Sequence, residues 1–142
     1  MKITLNNNFA IIPTRGSEYA AGYDLYAATG YDITIPPHQT IKIDTGISIE
    51  LPQNTFGAIY PRSGLATKQG LRPANCVGVI DEDYRGPVIV ALHNDTDEYQ
   101  IVPAHSRIAQ LIISPYITET FEVVDALNET ARGEGGFGST GK

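Results

Sequence analysis

Apolar residues in this chain recur at every second position, in short runs broken by turns. Ile3/Leu5, Ile33/Ile35, Ile41/Ile43, Ile47/Ile49/Leu51, Val88/Val90/Leu92 and Phe121/Val123 all follow this spacing. It turns one face of an extended strand toward a core and the other toward water. Between the runs stand Pro36-Pro37, Asp44-Thr45-Gly46, Pro52-Gln53-Asn54, Asn94-Asp95 and Ser114-Pro115. There a fixed φ, tolerance of positive φ or side-chain-to-backbone bonding turns the chain. Nowhere does an i, i+3, i+4, i+7 apolar pattern persist for four turns, so a βαβ architecture lacks its helices. The one expected helix is short, about Ser63 to Gln69, with Ser63 as its cap and Gly70 as its stop. The pattern predicts an all-β chain, a jelly-roll-like β-sandwich or barrel, without an internal repeat.

Length and charge narrow the function. At 142 residues, 42% hydrophobic and 18% charged, the chain has the size and composition of one globular domain. Its longest apolar run is Val88 to Leu92, five residues, where a membrane span needs about 20. Met1-Lys2 leads straight into Ile3 and Leu5, so no secretory signal or transit peptide is expected. Ten basic residues against sixteen acidic ones give a net charge of −6, the wrong sign for binding nucleic acid through its phosphates. A small anion held by a few converging arginines and a metal ion remains compatible, because the local field decides. The single cysteine, Cys76, cannot form an intrachain disulfide, which fits a cytoplasmic, intracellular setting, and reads as a buried apolar thiol. Asn94-Asp95-Thr96 and Asn128-Glu129-Thr130 match a glycosylation sequon, a tripeptide common by chance.

Residues 131–142 differ from the 1–130 domain before them. Five of the twelve are glycine and Phe137 is the only bulky apolar side chain. Such a segment is expected to be mobile in the free protein, and its arginine and aromatic suggest a lid that orders over a ligand. Gly133-x-Gly135-x-x-Gly138 imitates a dinucleotide fingerprint, and Gly136 to Lys142 imitates the start of a P-loop. Neither has the strand and helix that its motif needs. Glycine-rich backbone can still wrap a phosphate with its amides.

Four other stretches are more polar than a β scaffold requires. They are Ala21-Gly22-Tyr23-Asp24-Leu25-Tyr26-Ala27, Pro61-Arg62-Ser63-Gly64-Leu65-Ala66, Gly78-Val79-Ile80-Asp81-Glu82-Asp83-Tyr84-Arg85-Gly86, and Arg107-Ile108-Ala109-Gln110-Leu111-Ile112-Ile113. Taken singly, each has an ordinary structural reading: a strand-edge carboxylate, a helix cap with a solvated arginine, a charged hairpin tip, an edge strand. In this order, ahead of Arg132 to Gly141, they resemble the five motifs of the homotrimeric dUTP pyrophosphatases (dUTPases). The resemblance spans residues 21 to 141. Its rivals are the related dCTP deaminase, a nucleotide sensor without turnover, and a structural β-protein.

The resemblance implies a jelly roll, a homotrimer whose active sites draw on three subunits, and Mg²⁺-dependent hydrolysis of dUTP to dUMP and pyrophosphate. That reaction keeps uracil out of DNA and supplies dUMP for thymidylate synthesis. Asp81 is then the general base for water attack on the α-phosphorus. Asp24 acts at one remove, through water to Mg²⁺ or by holding the Asp81 region, with the triphosphate supplying most of the metal's ligands. Asn75 and the main chain of Gly78 and Ile80 read the uracil edge, and Tyr84 packs under the deoxyribose. Arg62, Ser63, Gly64 and Gln110 hold phosphates, Arg132 closes on the γ-phosphate and Phe137 stacks on the base. Val79, Gly138 and Ser139 complete the substrate-binding set. Cytoplasm is the expected location, a host cell's if the source is a virus or phage. The acidity of Glu82 and Glu134 near phosphates has no explanation in the sequence.

Overall fold

The computed structural model describes residues 1–136, and almost all of its regular structure is β. The strands are β1 (Lys2–Leu5), β2 (Thr14–Arg15), β3 (Tyr23–Tyr26), β4 (Ile33–Ile35), β5 (Thr40–Asp44), β6 (Ile47–Glu50) and β7 (Thr55–Tyr60). After the helix α1 (Ser63–Gln69) come β8 (Leu71–Pro73), β9 (Gly78–Ile80), β10 (Ile89–Asn94), β11 (Gln100–Val102) and β12 (Arg107–Pro115). They pair antiparallel into a five-stranded sheet, β2-β3-β12-β7-β9, a three-stranded sheet, β5-β10-β8, and the pairs β1-β6 and β4-β11. Neighbours in each sheet are mostly distant in sequence, as in a jelly roll.

One core joins the sheets. Leu25, Ile35, Ile43, Ile47, Leu71, Val90, Leu92, Val102, Ile108 and Leu111 are all buried. The alternation read from the sequence is seen directly in β10, where Val90, Leu92 and Asn94 point inward and the residues between them do not. Asn94 is the polar member of that row. Its Nδ2 donates to the carbonyls of Ile35, Pro36 and Glu98, and its Oδ1 accepts from the N–H and hydroxyl of Thr96. A side chain so enclosed is no glycan acceptor, despite the sequon. No helix among the described residues is long and apolar enough to cross a membrane.

The expected helix forms over Ser63–Gln69, and Gly70 ends it at φ 63. Ser63 is not its cap: Arg62 occupies that position in extended conformation and no side chain bonds the free amides. Three further expectations are corrected. Phe121 and Val123 form no strand and are fully exposed, because nothing among the described residues packs against them. Cys76 is exposed, since Ala74–Val77 loops out where the chain leaves β8 for β9 in a different sheet. The acidic stretch after β9 is no hairpin tip either: β9 pairs with β7 while β10 pairs with β5 and β8, so Asp81–Gly86 crosses between sheets.

Candidate active site

Two clusters gather the candidate residues. The first lies on the five-stranded sheet. Thr14, Asp24, Gln110 and Tyr60 are successive cross-strand partners through β2, β3, β12 and β7, so their side chains share one face. Arg107 would face the other way from Gln110 in a regular strand, being three residues distant. A β-bulge between Arg107 and Ala109 inserts one extra residue, pairs Arg107 with Tyr26 and returns it to the Asp24 face. β12 is therefore a central strand, not an edge.

Asp24 is the hub of this cluster. Arg62 donates from Nε to its Oδ1 at 2.9 Å, and Arg107 donates from Nη1 to its Oδ2 at 3.2 Å. Arg62 also donates from Nη1 to the Arg107 carbonyl at 3.2 Å, and Gln110 donates from Nε2 to the Pro61 carbonyl at 2.9 Å. The Asp24 side chain is only 13% exposed, so its charge is held in place by two guanidiniums that keep donors to spare. Gly22 is part of the arrangement, because a Cβ there would stand 2.5 Å from Gln110 Oε1. Beside Arg62, Ser63 and Gly64 open α1, with free space around Gly64.

The second cluster is a cleft of about 350 Å³, a volume suited to a small ligand. Asn75, Gly78, Val79, Ile80, Asp81 and Tyr84 line it, with Ile59, Pro87, Val88 and Ile89. Pairing with β7 fixes the floor, since Ile59 faces Gly78 and Gly57 faces Ile80. Gly78 leaves little room for a side chain: a Cβ would stand 3.2 Å from Asn75 Nδ2 and 3.3 Å from Ile59 Cβ. Beyond the strand the Asp81 carbonyl accepts the Tyr84 N–H at 3.1 Å, closing a turn. The Tyr84 hydroxyl donates to the Pro87 carbonyl at 3.2 Å, its ring lying over Gly86. Val79 and Asp81 also border a second groove with Phe56, Glu82, Asp83 and Tyr116, so Asp81 stands between two concavities. There the Glu82 carboxylate, accepting from the Tyr116 hydroxyl, raises that phenol above its ordinary pKa.

Within one chain the two clusters stay apart. Asp81 follows β9 toward the Thr55 end of β7, whereas Arg62 follows the Tyr60 end. At ~3.3 Å per residue that separation is roughly 15–20 Å. Asp24 accordingly touches Arg62 and Arg107, and the Asp81 loop is held by other residues. Arg132 belongs to neither cluster; it is exposed and donates from Nε to the Gly135 carbonyl. Phe137, Gly138 and Ser139 lie outside the described residues. Arg107, Glu82, Gly86 and Tyr116 are parts of the site to which the sequence assigned no role; the first three stand inside its polar stretches, whereas Tyr116 carried no signal.

Comparison with known proteins assigns this architecture. A family model described as dUTPase matches residues 8–141. The deoxyuridine 5'-triphosphate nucleotidohydrolase of Desulfitobacterium hafniense is 49% identical over 131 residues, 92% of this chain and 87% of that protein. Its counterpart in Saccharomyces cerevisiae is 46% identical over 142 residues, covering 99% and 94%. Among solved structures, a point mutant of the Staphylococcus bacteriophage 80alpha dUTPase with dUpNHpp superposes with a TM-score of 0.88 at 26% identity, over 99% of this chain and 98% of that one. With the family model spanning nearly its whole length and relatives close to half identical, this chain belongs to the dUTPase family.

Proposed function

We propose that the chain hydrolyses dUTP to dUMP and pyrophosphate, with Asp81 as the general base. The observation that carries this reading is the cleft itself, in which Asn75, Gly78, Val79, Ile80, Asp81 and Tyr84 converge around a space of nucleoside size. A water on the Asp81 carboxylate attacks the α-phosphorus and its proton passes to that carboxylate. The bond from the α-phosphorus to the bridging oxygen breaks, and that oxygen leaves with pyrophosphate. Asn75 offers both donor and acceptor to the uracil edge, as do the backbone groups of Gly78 and Ile80. The close approach at Gly78 leaves no space for a 5-methyl group, which excludes thymine. Tyr84 packs against the deoxyribose and excludes a 2′-hydroxyl. Arg62, Ser63, Gly64 and Gln110 bind phosphate oxygens, with Asp24 holding the Arg62 guanidinium in line.

The separation of the clusters supports assembly as a trimer, in which the arginines of one protomer complete the Asp81 cleft of another. Ile117, Phe121, Val123 and Leu127, all strongly exposed beyond β12, support the same conclusion, since a further copy would bury them. Residues 131–142 then act as a lid, with Arg132 on the γ-phosphate, Phe137 on the uracil, and Gly138 and Ser139 near the phosphates.

The donor set fits Mg²⁺ carried on the triphosphate. Among the described residues no three of His, Cys, Asp and Glu are grouped to hold an ion, and both Asp24 oxygens already accept from guanidinium. Bound there, Mg²⁺ would neutralise phosphate charge, with Asp24 reaching it through water. The substrate belongs to the DNA-precursor pool, which supports an intracellular location.

Pyrophosphate release from dUTP, dTTP, dCTP and UTP, measured with Mg²⁺ and then with EDTA, tests this function. Fast release from dUTP alone, lost in EDTA, is expected. Tight dUTP binding without release would replace the enzyme by a nucleotide sensor, and ammonia release from dCTP would replace it by a deaminase.

A further inference from the structure

Three segments distant in sequence meet on one carboxylate oxygen. The backbone N–H of Asn54 donates to Glu82 Oε2 at 2.7 Å, and the Tyr116 hydroxyl donates to the same atom at 3.1 Å. The two donors are joined to each other, because the Tyr116 N–H donates to the Asn54 carbonyl at 3.2 Å. Asn54 sits at φ 57, the left-handed conformation that turns the chain from β6 into β7. Tyr116 directly follows β12. Glu82 itself faces the second groove rather than the nucleoside cleft.

We propose that Glu82 is a positioning residue for the reaction, its carboxylate fastening the segment that carries Asp81 to the turn at Asn54 and to Tyr116. The inference rests on the reading of Asp81 as the general base. Among the described residues the Asp81 carboxylate accepts no hydrogen bond, which leaves it open to a water but gives it no anchor of its own. Its position is set by the residues on either side. On one side Ile80 is held in the β9 ladder opposite Gly57. On the other, Glu82 is the residue of the crossing loop that, among the described residues, hydrogen-bonds to segments flanking the five-stranded sheet, and Arg85 braces it by donating from Nη1 to the Glu82 carbonyl at 2.6 Å. The raised Tyr116 phenol agrees with this contact, since ionising it would set two anions against each other. The contact also accounts for an acidic residue next to a triphosphate site: the charge is turned away from the substrate and spent on two neutral donors. An amide oxygen could accept both bonds, so position, not charge, is what Glu82 supplies.

The test measures kcat and KM for dUTP in the full chain carrying Glu82→Ala, Glu82→Gln or Tyr116→Phe, alongside Asp81→Asn. A misplacement near 1 Å costs about a hundredfold in rate, so Glu82→Ala is expected to lower kcat by about tenfold to a hundredfold, with KM within about twofold. Glu82→Gln should recover most of the loss, and Tyr116→Phe, which removes one of the two donors, should fall between. An unchanged kcat in Glu82→Ala, or a Glu82→Gln variant as slow as the alanine, would overturn the proposal. Ultraviolet titration of the Tyr116 phenol, read against Tyr116→Phe, examines the contact without reference to activity. Ionisation should move to lower pH in Glu82→Ala, and no movement would also overturn the clamp. If Asp81→Asn keeps its turnover, the base assignment fails by itself, and the titration still decides whether Glu82 holds the loop.

Discussion

Arg62 donates through Nε to Oδ1 of Asp24 at 2.9 Å, joining the residue before α1 to the middle of β3. With Arg107 on the other oxygen, the carboxylate keeps two guanidiniums from repelling each other and aims both. Asp24→Ala is therefore expected to lower kcat/KM for dUTP by about tenfold to a hundredfold, with Asp24→Asn between it and wild type. Steady-state kinetics check this, and unchanged values would mean that the arginines need no common anchor.

Asp81→Asn preserves shape but removes the proposed proton acceptor. General-base catalysis contributes about 10²–10⁴-fold, so kcat should fall by that order while dUTP binding by calorimetry stays within a few-fold. A variant that keeps most of its turnover would take Asp81 out of the mechanism.

If Tyr84 gates the sugar as proposed, Gly86 sets that selectivity without being a ligand residue. A Cβ at Gly86 would stand 2.6 Å from Tyr84 Cζ, so Gly86→Ala must push that ring aside. Discrimination between dUTP and UTP should shrink by about tenfold, as it should in Tyr84→Ala, for a lost packing contact of this size. Gly16→Ala is the control, because its added carbon meets nothing within 4 Å. Undiminished selectivity in both site variants would put the sugar gate elsewhere.

Asn94 carries stability rather than chemistry. It is completely buried, and Asn94→Ala leaves the Ile35 and Pro36 carbonyls and the Thr96 N–H without that partner, whereas the Glu98 carbonyl and the Thr96 hydroxyl still bond each other. The expected loss is about 2–4 kcal/mol, measured by urea unfolding at fixed protein concentration. A loss within experimental error would show that water replaces the amide.

Arg72 pairs with Asp95 through Nε at 2.6 Å and Nη2 at 2.9 Å, and holds that carboxyl below its ordinary pKa. A lowered carboxyl stabilises the fold above its unfolded pKa, and the contribution disappears as pH falls through the folded one. Arg72→Ala should thus lower the Tm near neutral pH by a small amount, both side chains being about 40% exposed. The difference from wild type should close below about pH 4. A constant difference down to pH 2 would assign the effect to packing of the arginine stem.

Much of the fold was legible because its strands are short and alternate with turns. Ile47/Ile49 and Val90/Leu92 announce an inward face by their spacing, and the helix announces its end by Gly70. The same signal misled at Phe121/Val123. Alternation predicts a strand, but a strand needs a partner, and none among the described residues covers these two. The grouping of residues around one cleft was legible as well: Asn75 through Tyr84 lie within ten positions, and local sequence sets their order around it.

What sequence alone determined, then, was the identity of the elements and the residues grouped within one stretch, because propensity and periodicity act over a few residues. Tertiary structure alone decided which stretches meet. The bulge in β12 turns Arg107 to the Asp24 face against the parity of its spacing, and Glu82 finds Asn54 and Tyr116 across two other segments. Such contacts follow from sheet register and strand order, which arise when the whole chain packs into one core and which no local window of sequence contains.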